Sequence, residues 1–156
     1  MKLDYVHTYD ADPERVVALL RNEDFLTDVA QHAGALEHSV AVNPDNTSLN
    51  MALPVPANLA KFVGSSIKIN QTFHFEEPRP DGVINGTVTV DVVGMPVDVN
   101  AQAEMLPKDG TTEGRYTGDL LVKIPLVGKK VEAQVEPFIR DAFAGLERRA
   151  ADWLSR

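Results

Sequence analysis

Alternation of apolar and polar residues is the dominant pattern in this chain, and it extends from Leu36 to Ile124. A period of two is typical of β-strands that bury one face and expose the other. Clusters of Asn, Asp, Gly and Pro interrupt the pattern at short intervals, which predicts an antiparallel meander of six strands. The predicted strands are residues 36–42, 47–53, 66–76, 83–92, 97–105 and 113–124.

Before this region, the N-terminal part of the chain predicts one strand and two short helices. Residues 2–9 alternate in the same way as the later strands. Asp12 directly precedes Pro13, the preferred order of an N-cap and a first helical residue. Asn22 is a second candidate cap, and Gly34 marks the end of the helix that follows it.

The C-terminal part of the chain has helical periodicity instead. After Pro125 the apolar residues recur at intervals of three and four, which predicts one long amphipathic helix to the end. Pro137 lies inside it, and we expect a local bend there because proline removes a backbone donor. The apolar positions are Val127, Val131, Val135, Phe138, Ala142 and Leu146, with Trp153 further along.

One link in the strand region is unusual. Residues 53–66 are too many for a tight turn and are apolar in the middle, which predicts a helical turn around residues 59–63.

The order of elements predicts the fold class. A half-buried sheet needs a cover on its apolar face, and the long helix is the only predicted element large enough to supply it. We therefore expect an α+β fold in which a curved antiparallel seven-stranded sheet packs its concave face against the C-terminal helix. At 156 residues the chain is predicted to form a single domain, residues 1–156.

Strand register can also be predicted in one hairpin. If residues 93–96 form a four-residue turn, every inward-facing pair between the two flanking strands is apolar, which favours this register over its neighbour. The cost is that Asp91 faces Asp98, two like charges. The inward pairs are Val92 with Val97, Val90 with Val99, Val88 with Ala101, Gly86 with Ala103 and Ile84 with Met105.

Three of these inward residues, Gly86, Ala101 and Ala103, are small where tall side chains would be expected against a helix. Either an aromatic residue of the long helix fills the space, with Phe138, Phe143 and Trp153 as candidates, or the space remains open as a pocket. An empty apolar void costs roughly 24 cal/mol per Å³, so a large natural cavity implies an occupant.

Composition and charge exclude some kinds of functional site and disfavour some kinds of partner. The chain has no cysteine, which excludes disulfides and thiolate sites, and its net charge of -8 disfavours nucleic acid and anionic lipid surfaces as partners. No apolar run approaches the roughly 18 residues of a membrane span. The stretch MKLDYVHTYDADPE lacks the apolar core of a signal peptide, so we expect a cytoplasmic protein. No pattern in the sequence indicates an oligomeric state.

Three stretches together resemble the START-like (SRPBCC, helix-grip) superfamily. They are the opening strand leading into YDADPERVVALL, the central run of six strands, and KIPLVGKKVEAQVEPFIRDAFAGLERRAADWL. The chain is similar to an uncharacterised bacterial family within that superfamily. The resemblance implies a deep apolar cavity between sheet and last helix, open near the two short helices. The superfamily uses such cavities for sterols, acyl chains, phospholipids, plant hormones and polyketide intermediates, and it shares no catalytic motif.

Candidate polar residues are few. His7 and His38 share the apolar parity of their strands, whereas His74 and Arg115 fall on the outer parity. An inward histidine is either a hydrogen-bonded structural residue or a catalytic base, and an inward tyrosine either orients a ligand or satisfies a loop carbonyl. The inward tyrosines are Tyr5, Tyr9 and Tyr116.

No cofactor or metal is indicated. The chain has neither a glycine-rich phosphate loop nor a nucleophile elbow, and its histidines lack metal-ligand spacing.

The leading hypothesis is therefore a carrier or sensor that encloses a small hydrophobic molecule, lipid-like or polyketide-like, without transforming it. The apolar segment 54–64, with Leu59, Phe62 and Val63, is the predicted gate. The predicted lining residues are Phe73, Phe75, Val88, Val99, Ala101, Tyr116, Leu120 and Phe138.

Two alternatives stay open at this point. The same pocket could catalyse a cyclisation, dehydration or hydrolysis with His7, His38 or a tyrosine, which would make the protein an enzyme. Alternatively, the interior is filled and the protein binds other proteins through an exposed apolar patch.

Overall fold

The computed structural model describes residues 1–156, apart from the side chains of Leu59, Phe62 and Val63. It contains a seven-stranded sheet and four helices. The elements in chain order are β1 (Lys2–Tyr9), α1 (Pro13–Leu20), α2 (Glu23–His32), β2 (Glu37–Val42), β3 (Thr47–Pro54), α3 (Ala57–Val63), β4 (Ser66–Phe75), β5 (Ile84–Val92), β6 (Val97–Lys108), β7 (Thr111–Val122) and α4 (Gly128–Leu154).

The sheet has the order β1-β7-β6-β5-β4-β3-β2, and all its pairs are antiparallel. Strands β2 to β7 form a continuous meander, as the short links predict. Strand β1 instead pairs with β7, the last strand, so β1 and β2 occupy the two edges. The α+β class and the helix-grip arrangement expected from the sequence are confirmed.

Strand β6 is longer than predicted, and β7 begins and ends two residues earlier than predicted, so both strands extend to the turn between them. Asp109 and Gly110 both have positive φ, 50° and 85°. A two-residue turn of this kind matches the twist of the strands it joins, so pairing can continue up to it. The last pair is Lys108 with Thr111.

The two short helices begin at the predicted caps. The Asp12 side chain accepts a hydrogen bond from the Arg15 backbone N at 2.8 Å, and Asn22 accepts one from Phe25 N at 3.0 Å. Each cap satisfies a backbone donor that the first helical turn leaves free.

The long helix starts three residues later than Pro125 because Leu126 has φ 70°, which is not helical. The helix continues through Pro137 for a total of 27 residues, about 40 Å at 1.5 Å per residue. The bend expected at Pro137 stays a prediction. Among the described residues, no helix combines the length and the apolar character needed to cross a bilayer.

Helix α4 lies against β1, β7 and α2, while α3 lies against β4 and α4. The C-terminal part of α4 is fixed to α2 by Asp28. Its Oδ2 atom accepts hydrogen bonds from Arg149 Nε at 2.8 Å and from Trp153 Nε1 at 3.0 Å. Burial raises the pKa of the Asp28 carboxyl, but these hydrogen bonds outweigh it and the pKa is lowered. The Trp153 ring also packs edge-on against Phe25.

Candidate functional site

The β5–β6 hairpin forms in the predicted register from the Ile84–Met105 pair to the Asp91–Asp98 pair. Val90 faces Val99, Gly86 faces Ala103, and Asp91 faces Asp98. The pairing therefore places one apolar side chain opposite another on the inner face, and the like-charge pair lies on the outer face, where solvent screens it.

The register aligns small residues across the middle of the inner face. One row runs Phe73–Val88–Ala101–Gly118–Leu3, and the next runs Phe75–Gly86–Ala103–Tyr116–Tyr5. In both rows the bulky residues lie at the sides and the small ones in the centre. We call the central group the interior trough, which consists of Gly86, Ala101, Ala103 and Gly118.

Large side chains of the sheet border this trough. A Cβ placed on Gly86 would lie 2.6 Å from Cδ1 of Phe75, so the Phe75 ring covers this glycine. Tyr116 stands directly beside Ala103 in the sheet. Trp153, a candidate for filling the space, instead packs from α4 against Phe25 and Asp28 of α2.

The middle of α4 is less buried than its ends. Val131 and Ala150 are fully buried, but every residue from 133 to 149, all with described side chains, is half-buried or exposed. The half-buried apolar residues of this stretch include Val135, Phe138, Ile139, Phe143 and Leu146. A helix that sealed the concave face would bury these side chains, so the middle of α4 borders accessible space.

A chain of three hydrogen-bonded polar side chains lies under α4. His7 Nδ1 is 2.7 Å from Tyr9 Oη, and Tyr9 Oη is 2.6 Å from Tyr116 Oη. Each of the three residues is at most 3% exposed. Gly114 makes room for the cluster, because a Cβ there would lie 2.8 Å from the Tyr9 ring.

This environment keeps the cluster uncharged. Burial lowers the pKa of His7, and the nearby Glu147 carboxylate only partly opposes that shift. Burial raises the pKa of Tyr9 well above its ordinary value, and the pKa of Tyr116 is also raised by burial. A neutral histidine joined to two neutral phenols has one donor and one acceptor left over at the two ends of the chain. The cluster can therefore hold one polar group of a neutral guest, or pass a proton along itself.

Phe143 of α4 forms the lid of this cluster. Its ring stacks on Tyr5 at 4.9 Å between centroids and contacts Tyr116 edge-on at 5.2 Å. Tyr5 in turn donates from its hydroxyl to Glu136 at 3.1 Å, and burial together with this carboxylate raises the pKa of Tyr5 to about 12. A movement of α4 would uncover the three polar groups.

The eight predicted lining residues all lie on the inner face or on α4, but with different exposure. Phe73, Phe75 and Phe138 are half-buried. The others are buried at 0–7% exposure, namely Val88, Val99, Ala101, Tyr116 and Leu120. Their contact with a ligand stays a prediction. The predicted gate residues Leu59, Phe62 and Val63 have side chains outside the described ones.

Of the histidines, only His7 lies in the interior. His38 has the expected inward parity, but it is at the start of edge strand β2 and is exposed. His74 is exposed on the outer face, where it donates from Nδ1 to the Asp45 carbonyl at 2.6 Å. Arg115 is also outside and pairs with Glu113 at 2.6 Å. Among the described residues, no three His, Asp or Glu side chains form a metal site.

Two surface depressions lie on the outer face of the sheet, with volumes of about 280 and 270 Å³. The first includes His74, Thr87 and Gln102, and the second includes His38, Asn50 and Lys68. They differ from the predicted apolar pocket in both position and polarity.

Sequence reasoning did not identify Gln134. Its Oε1 atom is buried and accepts no hydrogen bond from any described group. Nothing in the helical pattern marked it, because glutamine at an intermediate position of an amphipathic helix is usually solvated. An unpaired buried carbonyl oxygen is an acceptor for a donor supplied by a guest.

Residues 4–154 match the sequence model of a family described as protein of unknown function (DUF2505). No curated protein sequence matches the chain.

Several solved structures are similar in fold. A protein from Thermus thermophilus aligns with a TM-score of 0.67 at 15% identity, covering 96% of this chain and 97% of that one. Norcoclaurine synthase from Thalictrum flavum, in complex with dopamine and hydroxybenzaldehyde, aligns with a TM-score of 0.63 at 13% identity, with 99% and 86% covered. A START superfamily protein from Mycobacterium smegmatis aligns with a TM-score of 0.56 at 14% identity, with 97% and 98% covered.

Proposed function

Because the chain belongs to the DUF2505 family, whose function is unknown, and has the START-like helix-grip fold, we propose that it encloses a small hydrophobic ligand between its sheet and α4. It carries or senses this ligand without transforming it. In this proposal residues 1–156 form one domain, so all walls of the pocket come from the same unit.

The observation that carries the proposal is the half-buried middle of α4 opposite the interior trough. Apolar side chains such as Phe138 and Ile139 gain roughly 25 cal/mol for each Å² removed from water, and neither is fully covered by the protein itself. A lipid-like or polyketide-like guest would complete their burial. The other predicted lining residues, such as Phe73 and Val88, face the same space.

The polar groups around the space favour a guest that is largely apolar with a neutral polar end. The cluster of His7, Tyr9 and Tyr116 supplies one donor and one acceptor, and Gln134 supplies an acceptor. Residues 134 and 143 are about 14 Å apart along α4, at 1.5 Å per residue. A hydroxyl or carbonyl at one end of an elongated apolar molecule matches this arrangement.

Native mass spectrometry of protein purified from cells, followed by titration with a fluorescent fatty-acid probe, tests the proposal. Ala101→Phe adds a ring to the interior trough and should abolish uptake. Asn100→Phe adds the same ring one residue away on the exposed outer face and should leave uptake unchanged. Thermal melting of both variants separates lost binding from lost folding, because overpacking costs about 1–3 kcal/mol. Undiminished uptake by a folded Ala101→Phe variant would refute the pocket, as would a wild type that neither copurifies with a ligand nor binds the probe.

One observation favours a second candidate, an enzyme of the cyclase or dehydratase type. His7 is held 2.7 Å from Tyr9 Oη in a buried site, an arrangement suited to proton transfer once a substrate is bound. Norcoclaurine synthase, an enzyme by name, has a similar fold at 13% identity. Turnover of a bound compound by the wild type, with none by His7→Gln that still binds it, would establish this candidate over a carrier.

A further inference from the structure

The connecting segments of the sheet separate into two ends with different chemistry. Because neighbouring strands are antiparallel, segments 33–36, 55–65, 93–96 and 123–127 all meet at one end, together with α3. We call this the α3 end. The segments at the opposite end are 10–12, 43–46, 76–83 and 109–110.

Exposed large apolar side chains concentrate at the α3 end. Among the described residues, Leu36 is 64% exposed, Val93 48%, Leu126 105% and Val127 37%. At the opposite end, Val42 is the comparable residue, at 45%. Four apolar side chains on one end of a domain are a larger grouping than the scattered single residues normal for a protein surface.

Leu126 is held in this exposed position by the fold. Its φ of 70° is unfavourable for a residue with a side chain, yet the backbone on both sides is tied down. Lys123 N donates to the Pro96 carbonyl at 2.7 Å, and Gly128 N donates to the Ile124 carbonyl at 2.9 Å. The first bond also joins the loop that carries Leu126 to the turn that carries Val93. The two apolar tips therefore form one preorganised surface.

The connecting segments at the same end are basic in an acidic protein. The α3-end segments, with the first turn of α4, contain Lys61, Lys123, Lys129 and Lys130 and no Asp or Glu. At the adjoining strand ends, Asp98 pairs with Lys123 and Asp119 with Lys2, both at 2.8 Å, while Glu37 and Asp91 are exposed. The segments of the opposite end contain one basic residue, Arg79, and seven acidic ones: Asp10, Asp12, Asp45, Glu76, Glu77, Asp81 and Asp109.

We propose that the α3 end docks on the surface of an anionic phospholipid bilayer. Leu126, Val127 and Val93 enter the headgroup region, while Lys129 and Lys130 at the start of α4 meet lipid phosphates. The acidic end faces away from the membrane. The charge of the protein, -8 in total, is therefore distributed so that it orients the molecule on the membrane and does not prevent contact. This surface recognises a membrane whether or not the interior holds a ligand, so the inference stands apart from the proposed function.

Vesicle co-sedimentation tests the proposal, with phosphatidylcholine vesicles prepared with and without phosphatidylglycerol. We expect binding only with the anionic lipid, and weaker binding at high salt because exposed charges are screened. Lys129→Gln with Lys130→Gln should weaken binding roughly 25-fold, about fivefold for each lysine. Lys108→Gln, which removes a lysine at the opposite end, should have no effect.

Leu126→Ser should weaken vesicle binding about tenfold by removing the apolar contact. Val42→Ser, a comparable exposed residue at the opposite end, is its control and should bind as the wild type does. Thermal melting verifies that all variants are folded. Absence of binding to anionic vesicles overturns the proposal, and so does binding that the α3-end variants leave unchanged. A dimer in light scattering that Leu126→Ser dissociates would assign the surface to a second copy of the chain instead, which also overturns it.

Discussion

The hydrogen-bonded chain of His7, Tyr9 and Tyr116 predicts unequal effects for two substitutions that are chemically identical. Tyr9 is in the middle of the chain and makes both bonds, whereas Tyr116 is at the end and makes one. Tyr116→Phe removes a single buried hydrogen bond, and Tyr9 keeps His7 as its partner. The expected loss of unfolding free energy is about 1 kcal/mol.

Tyr9→Phe has a larger effect because it removes both bonds and leaves two buried groups unpaired. These groups are Nδ1 of His7 and the hydroxyl of Tyr116, and the expected loss is about 3 kcal/mol. For a chain of this size, 1 kcal/mol corresponds to roughly 2–4 °C in melting temperature. Tyr116→Phe should therefore lower the melting temperature by about 2–4 °C and Tyr9→Phe by about 6–12 °C.

The double variant provides the decisive comparison. Once Tyr9 is phenylalanine, the Tyr116 hydroxyl is already unpaired, so its removal should cost almost nothing more. Urea denaturation of the four proteins should give a coupling energy of at least about 1 kcal/mol. Tyr5→Phe is the matched control, since its bond to Glu136 lies outside the cluster. Equal losses for the two single variants, or strictly additive losses in the double variant, would refute this arrangement.

Three further predictions concern stability. Gly118→Ala should destabilise the protein by several kcal/mol in chemical denaturation, because the added Cβ would lie 2.0 Å from a backbone oxygen. Gly145→Ala in α4 is its control: the added Cβ meets nothing closer than 3.6 Å, and the change should stabilise the protein by about 1 kcal/mol. Effects of the same sign for both variants would contradict the structure. Because the pKa of His7 is lowered in the fold, the unfolded chain binds a proton at this residue more readily, and the free energy of unfolding should fall as the pH drops below about 6.5. Melting temperatures measured between about pH 7.5 and 5.5 should therefore change less with pH in His7→Gln than in the wild type. Asp28→Asn should lower the free energy of unfolding by about 2 kcal/mol at neutral pH. Because the ionised Asp28 carboxylate is the form that stabilises the fold, this loss should shrink as the pH falls below about 3.8. A difference in melting temperature that does not change with pH would contradict the contacts of Asp28 between α2 and α4.

The fold could be predicted because several independent signals agree. In the β5–β6 hairpin, a shift of one residue would have turned Val88 and Val99 outward, so only one parity buries the apolar side chains. Asp12 and Asn22 cap their helices through contacts between residues three apart, which sequence alone contains. Local rules were sufficient wherever the interacting residues are close in the chain.

The candidate site was only partly predictable, because its key contacts depend on strand order. The sequence indicates that His7, Tyr9 and Tyr116 point inward, but the bond between the two tyrosines requires β1 to pair with β7. Likewise, a net charge averaged along the chain conceals the lysines of the α3 end, which come from segments far apart in sequence. The late start of α4 depends on the backbone angle of Leu126, and no residue type predicts that angle.

The pairing of β1 with β7 also has a consequence for how the chain acquires its shape. Tyr9 and Tyr116 are 107 residues apart, so β1 has no partner until β7, the last strand of the sheet in chain order, has been synthesised. Such distant pairing slows folding and leaves β1 temporarily open to wrong partners. The buried tyrosine pair therefore belongs to the last part of the molecule to assemble, and mutations there should first reduce the yield of correctly folded protein in cells.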